Sequence, residues 1–156
     1  MRRTSSRRSP GGMSSDSPFL DAAASIGQRI SADAVWHEGR CNWTGVVVDP
    51  ALPWRLEYRA LGPSLYDGAA GIGLFLAQLA ALTGDAEARR TAIGALRQAI
   101  ARAAAMPLDA RDGCHAGSLG IAWAAVRAAE LLEADELREG ARTVVAEARP
   151  PAMPAR

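Results

Sequence analysis

The 156-residue sequence predicts an all-α fold of paired helices, interrupted by a short extended or β-hairpin excursion around residues 41–60. Three observations carry this. The segments 67–92 and 116–141 superpose at a constant offset of 49 residues, and a period of that size marks a repeated supersecondary unit. Within each copy, apolar residues recur at helical spacing behind a G-x-x-G turn. From Cys41 to Ser64 the texture changes to β-branched residues, three prolines and two tryptophans, which suits short strands and turns.

Taken in order, residues 1–17 hold four arginines among Ser, Gly and Pro with no apolar cluster. Nothing there offsets the entropy of ordering, so a disordered basic tail is expected. It is not a secretory signal, because no apolar segment follows the basic start. From Phe19 to Val35 the residues Phe19, Ala22, Ala23, Ile26, Ile30 and Ala34 mark one face of an amphipathic helix, with Ser17 as its N-cap and Pro18 at its first position. In the following segment "WRLEYRAL" alternates like a half-buried strand, and Asp49-Pro50 and Pro53 confine strands to either side of a turn. The four tryptophans, Trp36, Trp43, Trp54 and Trp123, are expected to anchor a core or an interface.

Each repeat then reads as a turn, an apolar helix, a short break and an amphipathic helix, which is an αα-hairpin. The registered pairs include Gly68 with Gly117, Gly71 with Gly120 and Ile72 with Ile121. Thr83-Gly84-Asp85 supplies the first break, Gly84 suiting a left-handed C-terminal residue and Asp85 a cap for the next helix. The second copy has Ala134-Asp135 there. Ile72, Leu74, Phe75, Leu76, Leu79 and Leu82 make the first helix apolar nearly all round, so burial on both sides is expected. In its partner Ile93, Leu96 and Ile100 face inward and Arg89, Arg90, Arg97 and Arg102 outward. This is the inner and outer layering of an α/α toroid or solenoid.

Charge and length exclude some functions. The net charge of +1 leaves the chain beyond its tail slightly acidic, with no basic face for nucleic acid. The apolar run from Gly68 to Leu82 contains Gln78 and is shorter than the roughly twenty residues that span a bilayer, so no membrane partner is expected and the cytoplasm is the default location. Cys41 and Cys114 are the only cysteines and lack C-x-x-C spacing, as in a reduced compartment.

The string "CNWTGV…RALGPSLYDGAAGIGLFLAQLAALTGD" resembles the opening of the lanthionine synthetase C-like domain, as it occurs in two-function class II lanthipeptide synthetases. Leu65-Tyr66-Asp67-Gly68, Gly71-Ile72 and Thr83-Gly84-Asp85 are similar to that family's first repeat, and "CHAGSLGIAWAAVRAAELL" to its second. The resemblance implies a partial domain over 18–149, a first helix plus two hairpins of an incomplete toroid, with a Pro-rich tail at 150–156. In complete family members it further implies a zinc ion that activates a cysteine thiol of a precursor peptide, which adds to a dehydrated Ser or Thr to form a thioether ring. Coordination to zinc yields the thiolate, the actual nucleophile.

The family's metal ligands are two cysteines and a histidine in later repeats, so no metal site and no catalysis are expected of this chain alone. Cys114-His115 is one residue out of step with the family's metal motif, since Ala116 intervenes before Gly117, and a dipeptide falls short of three zinc ligands. The favoured role for Cys114 and His115 is lining a loop or being partly buried. Cys41 has nothing to place it near Cys114. Asp67 is expected to cap a helix or close a turn, and Tyr66 to pack with its hydroxyl at the rim. Gly68, Gly71, Gly117 and Gly120 are the turn glycines, explained by close packing of inner helices rather than by phosphate binding, for there is no Walker pattern.

The implied partners are a precursor peptide and either self-association or a second chain completing the ring. The alternative function is a small helical-repeat module that holds a peptide without chemistry. A six-hairpin glycosidase would need paired carboxylates at the loop ends, where only Asp67 and Asp112 stand.

Overall fold

A computed structural model describes residues 18–48, 54, 56–107 and 111–148. The expected basic tail, the Ser17 cap, the Pro50–Pro53 turn and the Pro-rich tail fall outside these residues. The element order is α1 (Pro18–Ala32), β1 (Val35–His37), β2 (Arg40–Asn42), β3 (Thr44–Val48), β4 (Leu56–Ala60), α2 (Ala69–Thr83), α3 (Ala86–Ala103), α4 (Ser118–Leu132) and α5 (Asp135–Ala148). The fold is mainly helical, with two αα-hairpins stacked side by side: α2 packs on α3, α4 on α5, and the inner helices α2 and α4 on each other.

The first helix ends three residues earlier than its periodicity suggests, and its buried face is rotated. Gly27 and Ser31 are its buried residues, while Phe19 and Ile26 are exposed. Gly27 lies against Leu79, where a Cβ would overlap the leucine side chain, so the small residue lets α1 approach α2 closely.

The extended excursion starts at Val35 and forms two antiparallel ribbons rather than one. In the first, Trp36 pairs with Cys41 across a two-residue turn in which Glu38 and Gly39 both have positive φ, the conformation that matches the twist of a tight hairpin. This ribbon packs on the outer helix. The Trp36 ring lies against Gly94, Cys41 is buried, and the Arg90 guanidinium sits 4.2 Å from the Trp36 ring centroid. Trp43 is buried beside it and its indole N–H donates to the Ile30 carbonyl at 2.8 Å, tying the ribbon to α1.

The second ribbon pairs Val46 with Tyr58. It is not the half-buried strand that alternation suggests, because Val46, Leu56 and Tyr58 are all exposed and so is Trp54. Of the four tryptophans, therefore, Trp36 and Trp43 anchor the core and Trp54 and Trp123 face outward.

The hairpin core is made of small residues. Ala70, Ala77, Ala92, Ala95, Ala99, Ala124, Ala125 and Ala128 are fully buried, with Leu76, Leu96 and Ile121 filling the gaps. Alanine faces let helices approach closely, and Gly73 does so where α2 meets Leu96 and Ala92 of α3. The outer helix obeys its amphipathic pattern: Leu96 is buried, Ile93 and Ile100 are half-buried, and Arg89, Arg90, Arg97 and Arg102 are exposed. The inner helices do not obtain burial on both sides, since Leu82 is 74% and Trp123 50% exposed. Among the described residues, no helix is long and apolar enough to cross a membrane.

Candidate functional site

Both inner helices begin beneath a loop, and the two loops lie together. Gly68 and Gly117 hold the N-cap positions of α2 and α4, each in extended backbone with no side-chain cap. Three residues on, Gly71 and Gly120 each face the carbonyl of the residue six positions earlier. A Cβ at Gly71 would overlap the Leu65 oxygen, and one at Gly120 the Cys114 oxygen. The G-x-x-G glycines thus seat a loop on the first turn of its own helix, rather than helix against helix as expected from sequence.

The loops are joined through their main chains. The Tyr66 N–H donates to the His115 carbonyl at 3.0 Å, and these two residues hold equivalent places in the repeats. Their side chains are free. Tyr66 is 80% exposed rather than packed, and of their two expected placements Cys114 and His115 take the loop-lining one, exposed to solvent.

Asp67 closes a turn instead of capping a helix. Its carboxylate accepts from the Ser64 hydroxyl at 2.5 Å, and its N–H donates back to that hydroxyl at 3.2 Å. Ser64 is buried, and Ser-x-x-Asp ahead of an apolar run is the sequence pattern that points to such a reciprocal pair. The second loop is held differently, by Arg111. Its guanidinium donates to the carbonyls of Met106 and Ala104 at 3.1 and 2.6 Å, and its own carbonyl accepts from Ser118 N–H.

Beside the first loop an apolar cleft of about 530 Å³ opens between α1 and α2, lined by Ile26, Ile30, Ile72 and Phe75 together with Tyr66 and Asp67. An apolar trough with a few polar groups at one end is the general form of a peptide or small-molecule site.

The residues present do not fit a zinc site. Cys114 and His115 are neighbours in an exposed loop, and Cys41 is 2% exposed in β2, its thiol donating to the Thr91 carbonyl at 3.4 Å. Burial pushes the Cys41 thiol up from 9.0 to about 11, with the nearby Arg90 offsetting only part of the effect, so it is a neutral buried group. Among the described residues no group of three His, Cys, Asp or Glu could hold a metal ion. Asp67 likewise stands without a second carboxylate facing it in the cleft, which leaves glycosidase chemistry unsupported.

A two-layer stack of αα-hairpins, each inner helix seated under a glycine-keyed loop, defines a helical-hairpin repeat protein. The family of lanthionine synthetase C-like proteins matches residues 59–148, and the chain belongs to that family. No curated protein matches the sequence.

Proposed function

We propose that this chain carries the first two hairpins of a cyclase domain of lanthipeptide biosynthesis, of the class II type, and that it contributes peptide engagement rather than thioether chemistry. The observation that carries this reading is the pair of loops seated alike on α2 and α4 within the family match, beside an apolar cleft and without a metal-binding group among the described residues. The nucleophilic thiolate would be generated by hairpins other than these, and the work would take place in the cytoplasm. The purified chain is expected to contain no stoichiometric zinc and to form no thioether from a dehydrated precursor peptide, as read by elemental analysis and mass spectrometry. Stoichiometric zinc or ring formation by this chain alone would overturn the proposal.

A second reading, a helical-repeat module that only binds peptide, is favoured by the cleft at Tyr66 and Asp67. Fluorescence titration with a labelled lanthipeptide precursor and with an unrelated peptide of equal length separates the two. Preference for the precursor supports the biosynthetic reading, and equal binding supports the general module.

A further inference from the structure

The β1–β2 ribbon and the outer helix α3 border a second cleft, away from the loops. It measures about 420 Å³ and is lined by His37 and Arg40 of the ribbon, Thr44 of β3, and Gln98 and Arg102 of α3, with an apolar wall that includes Trp43. Two regular elements set the polar groups. His37 and Arg40 are direct cross-strand partners, so they share one face of the ribbon, opposite the face that carries Trp36 and Cys41. Gln98 and Arg102 stand one turn apart on α3, which puts them on one side of that helix.

The charges in this cleft are of one sign. Among the described residues no carboxylate lines it. Glu38, at the hairpin turn, reaches His37 and Arg40 only at 3.7 and 3.6 Å, beyond hydrogen-bond distance. The side chains of Gln98 and Arg102 make no hydrogen bond or ion pair with the described residues, whereas Arg90 and Arg97 on the same helix hold Glu87 and Glu136 at 2.8 and 2.7 Å. The C-terminal carbonyls of α3, which would repel an anion near Arg102, are taken up by the N–H groups of Ala105 and Met106 and by the Arg111 guanidinium. Guanidinium groups gathered with their donors unspent repel one another until an anion shares them. We propose that this cleft binds a small tetrahedral oxyanion, a phosphate group either free or as a monoester, held between Arg40 and Arg102 with Gln98 as a neutral donor. One guanidinium fork satisfies a planar carboxylate, but a phosphate offers acceptors to donors arriving from the ribbon and the helix at once. The proposal does not rest on the peptide-engaging role, since this cleft shares no lining residue with the one beside Tyr66 and Asp67.

Isothermal titration of the full chain with inorganic phosphate, methyl phosphate and acetate tests it. Saturable binding of phosphate is expected, with acetate weaker by about tenfold or more. Tighter binding of methyl phosphate than of inorganic phosphate assigns the monoester as the ligand, and the reverse order assigns the free ion. Arg40→Gln and Arg102→Gln should each weaken phosphate binding by about tenfold, and Gln98→Glu, which sets a carboxylate one turn from Arg102, should weaken it at least as much. Arg89→Gln, on α3 but outside the cleft, should leave it unchanged. All four positions are exposed or half-buried, and helical circular dichroism checks that each variant is folded. A wild-type chain with no saturable binding up to about 10 mM phosphate overturns the proposal. So does acetate binding as tightly as phosphate, binding kept in all three cleft variants, or an equal loss in Arg89→Gln.

Discussion

The two hairpins begin 49 residues apart, and their inner helices have equal length and equal register, yet they are terminated by different chemistry. In the first, Gly84 takes the left-handed position after α2 with φ 73°, and Asp85 caps α3 by accepting from the N–H groups of Glu87 and Ala88 at 2.8 and 3.1 Å. In the second, Glu133 takes the same left-handed position with φ 51°, and Ala134, with no side-chain oxygen, precedes α5. The backbone bonds are nevertheless the same, Gly84 N–H to Ala80 and Glu133 N–H to Ala129. Tertiary packing of the alanine faces fixes the geometry, and the local signals only strengthen it.

The deepest shared feature should break first. Gly120→Ala and Gly71→Ala each force a methyl group into a loop carbonyl, and overpacking of this kind costs about 1–3 kcal/mol or more. The expected order, Gly120 worse than Gly71, is checked by urea unfolding.

Cys41, in the β1–β2 ribbon, packs on the outer helix of the first hairpin and gives that contact an alkaline weakness. Its folded pKa is raised, so the folded state holds the proton more tightly; its contribution is full below about 9 and disappears as pH rises toward about 11. The loss is about 2–3 kcal/mol at a fully buried thiol. Urea midpoints measured from pH 8 upward should fall in wild type and stay flatter in Cys41→Ala. In the native protein an alkylating reagent should label exposed Cys114 and spare Cys41.

The caps are smaller levers. Asp85→Ala should cost about 1 kcal/mol, while Ala134→Asp should recover part of that amount in the second hairpin. Glu133→Gly should stabilise by about 0.5–1 kcal/mol, since a non-glycine residue is strained in the left-handed region, and Gly84→Ala should do the reverse. Thermal melts of the four variants sharpen the comparison: caps that act independently shift the midpoint additively.

What the sequence discloses and what it hides divide along the same line. The repeat offset, the hairpin breaks and the arginine-bearing outer face are legible because they depend on neighbours within a few turns. Val35 reads as helix because its spacing continues the pattern, but Trp36 and Cys41 find Gly94 and Thr91 more than fifty residues away or nearly so, and the chain leaves the helix at Ala32 to reach them. Leu82 reads as core because it is apolar, yet it lies in the last turn of α2 where nothing covers it. Asp67 reads as either a cap or a turn residue because it precedes a helix, and the Ser64 hydroxyl, by donating to its carboxylate, decides for the turn. At the site, the turn glycines were visible as a pattern and their partners were not, for a carbonyl six residues back leaves no trace in residue identity.

The bond from Tyr66 N–H to the His115 carbonyl has a consequence for how such a surface changes over time. It joins successive loops by groups that every residue except proline on the donor side can offer, and it asks nothing of the side chains that project from them. Tyrosine in one loop and histidine in the next are two spellings of one structural position. New chemistry can be tried there by single substitutions while the stack beneath keeps its register.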